Sequence, residues 1–410
     1  MNSPVSNDGL GSTRIEQLDG IRGIACLLVL THHYFTGVLN WDIHNSAKLI
    51  IDVLGIFLLS GVDLFFVLSG FLVGGIIIDN YHKANFLKVF YIRRVCRIFP
   101  VYFLLIFSLP VALYSLSHFD FVAKWLLEKP LPYWSYLTFS QSYLMGLHNV
   151  SGPKWAAISW SVSVEEQFYI LLPMVIMATG KRAGLIFASL AVVIAPIFRT
   201  YFFHNIGFYA GYMFFPGRMD SILWGVLAAY IVRSDAYKNL SIKTMYWLAF
   251  ILVTFVIFTI AYRLKLIDIG AGDSSFFTLI AIIYAIFILI AFDGRIKFLT
   301  YLLKNRFLIF TGALSYSIYM FHQMVNGLIH GYFFSDKPVI DHWEKIGATL
   351  ISVALVYVLA YFSYIYYEQP IRAWGKRYRY KDQPQKKLTD ILIDNVPLEG
   401  AAHIKVPSNR

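Results

Sequence analysis

Residues 18–34 read Leu-Asp-Gly-Ile-Arg-Gly-Ile-Ala-Cys-Leu-Leu-Val-Leu-Thr-His-His-Tyr, an apolar run with ionisable residues at both ends. As a helix rising about 1.5 Å per residue, it puts His32 and His33 about 20 Å beyond Asp19. That depth lies inside a hydrocarbon core of about 30 Å, where a titrating side chain is costly and marks a functional site. Histidine titrates near neutral pH, so it can take the proton of a hydroxyl. A second group is Arg93-Arg94-Val95-Cys96-Arg97. Arg94 and Arg97, three apart, share a helix face and suit phosphate groups. A third is the adjacent pair Glu165 and Glu166, which cannot face the same way. One of them could orient an imidazole as the acid of a triad does. Each group has a plain structural alternative. His33 could be a packed histidine bonded to a carbonyl, and the arginines could be membrane anchors. Asp19 could simply neutralise Arg22 three residues on. Ser69-Gly70 reads first as a close helix contact.

The elements that must hold these groups are membrane helices. The chain of 410 residues is 58% hydrophobic and 14% charged, against about 25% charged in soluble proteins. Its mean hydropathy is +0.60. Aromatic residues make up 18%, which fits interfacial belts. The net charge of +11 is read as basic cytoplasmic loops, with no nucleic-acid partner. Cys26 and Cys96 are not expected to pair, and no metal site is expected. No cleavable signal, dinucleotide fingerprint or Walker loop is evident. The expected fold is an all-α integral membrane protein of about ten transmembrane helices. They fall near 21–39, 62–79, 98–117, 160–179, 184–203, 213–232, 244–262, 275–292, 307–330 and 346–366. The run 49–61 reads as a re-entrant or interfacial piece. With the N-terminus inside, 24 basic residues fall on the inner side, 9 outside, and Arg22 and Arg218 within spans. That bias predicts both termini inside. Residues 1–17 then form a cytoplasmic segment, 18–375 the membrane domain, and 376–410 a basic cytoplasmic tail expected to be disordered.

This orientation places His32, His33 and His322 in the outer half, with Glu165 and Glu166 near the outer end of the fourth span. Asp63 opens the second span at that level, and Arg218 and Asp220 open the sixth. The arginine pair lies at the other end. An anion-binding entrance inside and an acid–base cluster nearer the outside would let a cytoplasmic phosphorylated donor meet an acceptor from the opposite face.

Six blocks of the sequence, in order, resemble the membrane-bound acyltransferase-3 family. They are Leu18-Asp19-Gly20-Ile21-Arg22 with His33 eleven residues after Arg22, Val62-Asp63-Leu64-Phe65-Phe66-Val67-Leu68-Ser69-Gly70-Phe71-Leu72, and Arg94-x-x-Arg97. Trp160–Tyr169, Gly312–His322 and Glu368-Gln369-Pro370-Ile371-Arg372 follow. The resemblance covers about residues 14–375. It implies an O-acyltransferase moving an acyl group, most commonly acetyl, from acyl-CoA to a sugar hydroxyl of a surface or lipid-linked glycan such as lipopolysaccharide. It implies His33, not His32, as the essential histidine, acting as base or transient acyl carrier, with Glu166 in preference to Glu165 as its acid. Arg94 and Arg97, with Arg22 and Arg93, are implied to hold the acyl-CoA, a co-substrate rather than a bound cofactor. Asp63, Ser69, Trp160, Tyr169, Arg218, Asp220, Tyr319 and His322 are the implied substrate contacts. The location implied is a bacterial inner membrane. Ala157-Ile158-Ser159 stands before Trp160 where many relatives carry a His-Thr pair. No segment resembles the esterase-like domain fused to some relatives, so transfer by the membrane domain alone is expected. A transporter or flippase of a lipid-linked glycan is the competing class, and a membrane sensor a third.

Overall fold

The computed structural model describes residues 15–40, 51, 54, 55, 57–116, 123–263 and 274–382. Among these, every named element is helical. The long helices are α1 (Glu16–Thr31), α2 (Gly61–Asn80), α3 (Phe86–Leu116), α4 (Trp160–Asn205) and α5 (Phe215–Ile231). They continue as α6 (Ile242–Arg263), α7 (Ser274–Asp293), α8 (Arg306–Phe334) and α9 (Trp343–Ser363). A short α10 (Gln369–Gly375) follows. The protein is an integral membrane protein. Among the described residues, five helices are long and apolar enough to cross a bilayer, spanning Phe57–Asn80, Phe86–Ser115, Ala157–Asn205, Ser274–Asp293 and Trp343–Gly375. The N-terminal segment 1–14 and the tail from 383 lie outside the described residues, as does part of 49–61.

Two boundaries differ from the sequence reading. The fourth and fifth apolar segments are halves of one 46-residue helix, interrupted at Gly180. Its φ of +83° is open to glycine without steric cost, so the chain bends there with no loop. The third segment begins earlier than its apolar run. α3 starts at Phe86, so Arg93–Arg97 lies inside the helix and not ahead of it. Nothing between Phe86 and Phe99 breaks a helix, and Pro100 is the first proline.

Packing is close where the apolar sequence carries glycine. A Cβ on Gly70 of α2 would stand 1.8 Å from the Ile222 carbonyl of α5, and one on Gly225 of α5 would stand 1.9 Å from the Val67 carbonyl of α2. These two helices therefore meet backbone to backbone, as small-residue contacts allow between membrane helices. Gly312 does the same for α8 against α1, 2.0 Å from the Asp19 carbonyl.

Charges inside the bundle are paired between helices. Arg218 of α5 donates to Asp63 of α2 at 2.7 Å, and Ser221 donates to the same oxygen at 3.0 Å. Arg199 of α4 bonds both carboxylate oxygens of Asp220 at 2.9 and 3.0 Å. Thr278 of α7 also donates to Asp220, at 2.7 Å. Phe277 stacks under the Arg218 guanidinium at 4.5 Å. The network ties α2, α4, α5 and α7 together. Arg199 is one of the nine basic residues that the charge count puts on the outer side, yet it is not a solvated cation. Arg199 is fully buried in α4, because its carboxylate partner lies 21 residues away on another helix.

Candidate active site

α1 ends in a five-residue π-helical turn, His32–Thr36. Single π turns of this kind occur often at functional sites. Here the turn aims two adjacent imidazoles differently. The His33 Nδ1–H donates to the Val29 carbonyl at 3.0 Å, which leaves Nε2 as the lone-pair atom. His32 turns to Thr36 at 3.4 Å. His322 of α8 faces His33 with ring centroids 4.9 Å apart. Its own Nδ1–H donates to the Tyr319 carbonyl at 2.6 Å, and its buried Nε2 has no partner. Tyr34 donates to the His322 carbonyl at 2.8 Å and fixes α8 against the turn. Both histidines are thus held by backbone carbonyls with Nε2 free to act.

Two cavities flank this pair. The first, about 100 Å³, is lined by Arg22, Ser69, Arg94, Arg97, Glu165, Tyr169, Ser161 and Tyr319, among others. Tyr169 donates to Glu165 at 2.9 Å and shares a 2.5 Å hydrogen bond with Ser69. Arg94 lies over the rings of Tyr169 and Phe90, at 5.4 and 5.6 Å. Arg22 is held by Asp19 at 2.6 Å. The second cavity, about 700 Å³, is lined by His32, His33, Trp125, Lys154, Gln323, Asn326 and the loop 336–341. That volume is in the range of small-molecule sites. Tyr319 borders the first cavity and His33 the second. The His322 ring links them, with centroid steps of 5.8 Å to Tyr319 and 4.9 Å to His33.

The sequence-derived candidates divide on this geometry. Arg22, Ser69, Arg94, Arg97, Glu165, Tyr169 and Tyr319 come together in the first cavity. His33 lines the second cavity, and His322 packs between His33 and Tyr319. The His33 Nδ1 is held by the Val29 carbonyl and not by a glutamate, and Glu165 instead accepts from Tyr169. Glu166 lines neither cavity and has one buried oxygen unpartnered. Trp160 packs on Phe66 and Tyr212 and lines neither cavity. Asp63, Arg218 and Asp220 are spent in the buried ion pairs. Arg93 is also committed elsewhere. Its guanidinium donates to the Tyr378 carbonyl at 2.6 and 3.1 Å and sits 5.1 Å over the Tyr380 ring. The segment 376–382 so runs back along the start of α3. It is tied further by Lys381 to Asn85 and by a Lys83–Asp382 ion pair. Among the described residues, no cluster could hold a metal ion.

Sequence reasoning missed Trp125, Lys154, Gln323 and Asn326, which no motif marks. It also passed over Ser161, though this residue lies inside the quoted Trp160 block.

The family model for the acyltransferase domain, Acyl_transf_3, matches residues 15–365. The chain belongs to this family. Curated relatives agree with the family match. Peptidoglycan O-acetyltransferase OatA of Listeria monocytogenes is 26% identical over 387 residues, 88% of this chain and 56% of that protein. A Bacillus subtilis protein named provisionally as a peptidoglycan O-acetyltransferase is 29% identical over 383 residues, 88% of this chain and 56% of its own length. A Staphylococcus aureus (strain COL) protein named provisionally as an O-acetyltransferase is 26% identical over 390 residues, 88% and 58% of the two chains. The chain therefore spans less than three fifths of the length of these relatives. No solved structure matches it.

Proposed function

We propose that this chain moves an acyl group, acetyl first among candidates, from acyl-CoA to a hydroxyl of a glycan outside the cytoplasm. The observation that carries the reading is a pair of cavities, one rich in arginine and bordered by Tyr319, the other polar, wide and bordered by His33, with the His322 ring in contact with both residues. The arginine cavity suits a donor with phosphates at one end and a narrow reactive arm. Arg94, Arg97 and Arg22 hold the CoA phosphates, as guanidinium forks do. The arm runs past Ser69, Tyr169 and Glu165 toward Tyr319. The wide cavity takes the acceptor. His33 Nε2 removes the acceptor hydroxyl proton, and the oxygen attacks the thioester carbonyl carbon. The carbon–sulfur bond breaks, and the departing thiolate takes up the proton held by the imidazolium. His322 Nε2 lies on the route between the two sides. In a variant of the scheme the acyl group rests on His33 before the acceptor attacks.

The membrane placement follows the charge bias. About ten spans with both termini inside bring the arginine cavity to the cytoplasm and the histidine turn toward the outer face of a bacterial inner membrane. The names of the relatives make peptidoglycan one acceptor to try, with lipopolysaccharide and lipid-linked glycans as others.

The test uses purified protein in lipid nanodiscs with acetyl-CoA, following release of the free CoA thiol. Release that rises when a muropeptide or glycolipid acceptor is added, and falls at least a hundredfold in His33→Ala, supports the reading. Release that is unchanged in His33→Ala overturns it.

A further inference from the structure

The wide cavity contains more than a place for a neutral sugar ring. Four charged side chains line it apart from the histidines: Lys154, Asp336, Lys337 and Asp341. The two carboxylates are both engaged by one cation, Lys345. Lys345 reaches Asp336 at 3.1 Å and Asp341 at 3.0 Å. His342 adds a contact to Asp341 at 2.9 Å, and the Lys337 backbone N–H donates to Asp336 at 2.7 Å. Lys337 itself is exposed at the rim. Lys154 is half-buried, and among the described residues no carboxylate lies within salt-bridge distance of it. Its ammonium is near enough to interact electrostatically with His33. Burial, with Lys129 nearby and Glu128 opposing it only in part, holds it below the ordinary lysine range, and a bound anion would relieve that.

Deeper in the same cavity, two amides await donors. The Oδ1 of Asn326, in a residue only 3% exposed, has no hydrogen-bond partner, and neither does the buried Oε1 of Gln323. Both oxygens can only accept, and leaving them unpaired is costly. Sugar hydroxyls are donors of the right kind. Trp125, also in the lining, offers the flat apolar surface on which a pyranose face can rest.

We propose that this cavity is the acceptor subsite and that it selects an anionic sugar. Lys154 holds the acidic group beside the reacting hydroxyl, while Asn326 and Gln323 accept from other hydroxyls of the ring. The acidic group is a carboxylate or a phosphate borne by the sugar. The assignment of the cavity to the acceptor rests on the acyl-transfer reading, and the choice of an anionic ligand rests on Lys154.

The experiment measures binding to the full chain in nanodiscs without acyl donor, so it needs no turnover. Three probes share one ring: N-acetylglucosamine, N-acetylmuramic acid, which adds a carboxylate, and N-acetylglucosamine 1-phosphate. At least one anionic probe is expected to bind about tenfold or more tightly than the neutral sugar, as one desolvated charge-assisted contact provides. Preference for N-acetylmuramic acid names the carboxylate, and preference for N-acetylglucosamine 1-phosphate names the phosphate. Lys154→Gln is expected to abolish the preference, Lys154→Arg to keep it, and Lys129→Gln to leave it unchanged. Asn326→Ala is expected to weaken all three probes alike. Equal affinity for the three probes, failure of both anionic probes to bind, or a preference that survives Lys154→Gln overturns the proposal. If acetyl-CoA turnover is absent but the Lys154-dependent preference is present, the acyl-transfer reading fails and the anion site stands. Turnover without the preference leaves the reading and sinks the site.

Discussion

Asp220→Asn separates a structural charge from a substrate-binding one. Asp220 is fully buried and accepts two hydrogen bonds from Arg199, one from Thr278 and one from the Ser221 backbone. Asparagine keeps the shape and removes the charge. Arg199 then keeps its bonds to the Gly217 and Ser274 carbonyls, but no carboxylate compensates it. Removing one partner of a buried ion pair costs about 3–5 kcal/mol. That is roughly two to three and a half powers of ten in the folded fraction. The assay is reversible unfolding in mixed micelles of increasing SDS fraction, for wild type, Asp220→Asn, and the double variant Arg199→Met with Asp220→Leu. The double variant carries no orphaned charge, so it is expected to be more stable than Asp220→Asn alone. Since neither side chain lines a cavity, folded Asp220→Asn is expected to keep the acceptor KM of wild type. A stability loss under about 1 kcal/mol, or an acceptor KM that rises tenfold with stability intact, would refute the structural assignment and return Asp220 to the substrate.

Other consequences can be checked alongside it. Arg94→Ala and Arg97→Ala should each raise the KM for acetyl-CoA about 10–100-fold, the loss of one charge-assisted contact of about 1.5–3 kcal/mol, while leaving acceptor KM unchanged in steady-state assays. Gly70→Val should cost about 1–3 kcal/mol or more in the same SDS titration, because its Cβ meets the Ile222 carbonyl and α2 and α5 must separate. Tyr380→Ala should free the 376–382 segment, read as faster limited proteolysis near Tyr378, with acetyl-CoA KM changed less than threefold because Arg93 does not line the donor cavity.

The chemistry-bearing residues of α1 were legible because their spacing is local: a helix fixes where His33 stands relative to Arg22. The same holds for Arg94 and Arg97 on one face of α3. The helical segments were legible from apolar length, but the join at Gly180 was not, since a single φ decides it. Partners across helices were beyond reach. Whether Arg199 is a loop cation or a buried partner of Asp220 depends on which helices touch. The orientation of Glu165 and Glu166 differs by one residue of helical rotation; the i,i+4 spacing pairs Glu165 with Tyr169, but only packing shows that this face lines the arginine cavity. The lining of the wide cavity was illegible for another reason. Trp125, Lys154, Gln323 and Asn326 come from three separate stretches with no spacing that relates them.

The most direct measurement is mass spectrometry of surface glycans from cells expressing wild type or His33→Ala at matched membrane levels. The account predicts an increment of one acyl group on a glycan repeat with wild type and its absence with His33→Ala. The same increment at the same level in both would contradict the assignment of transfer to His33.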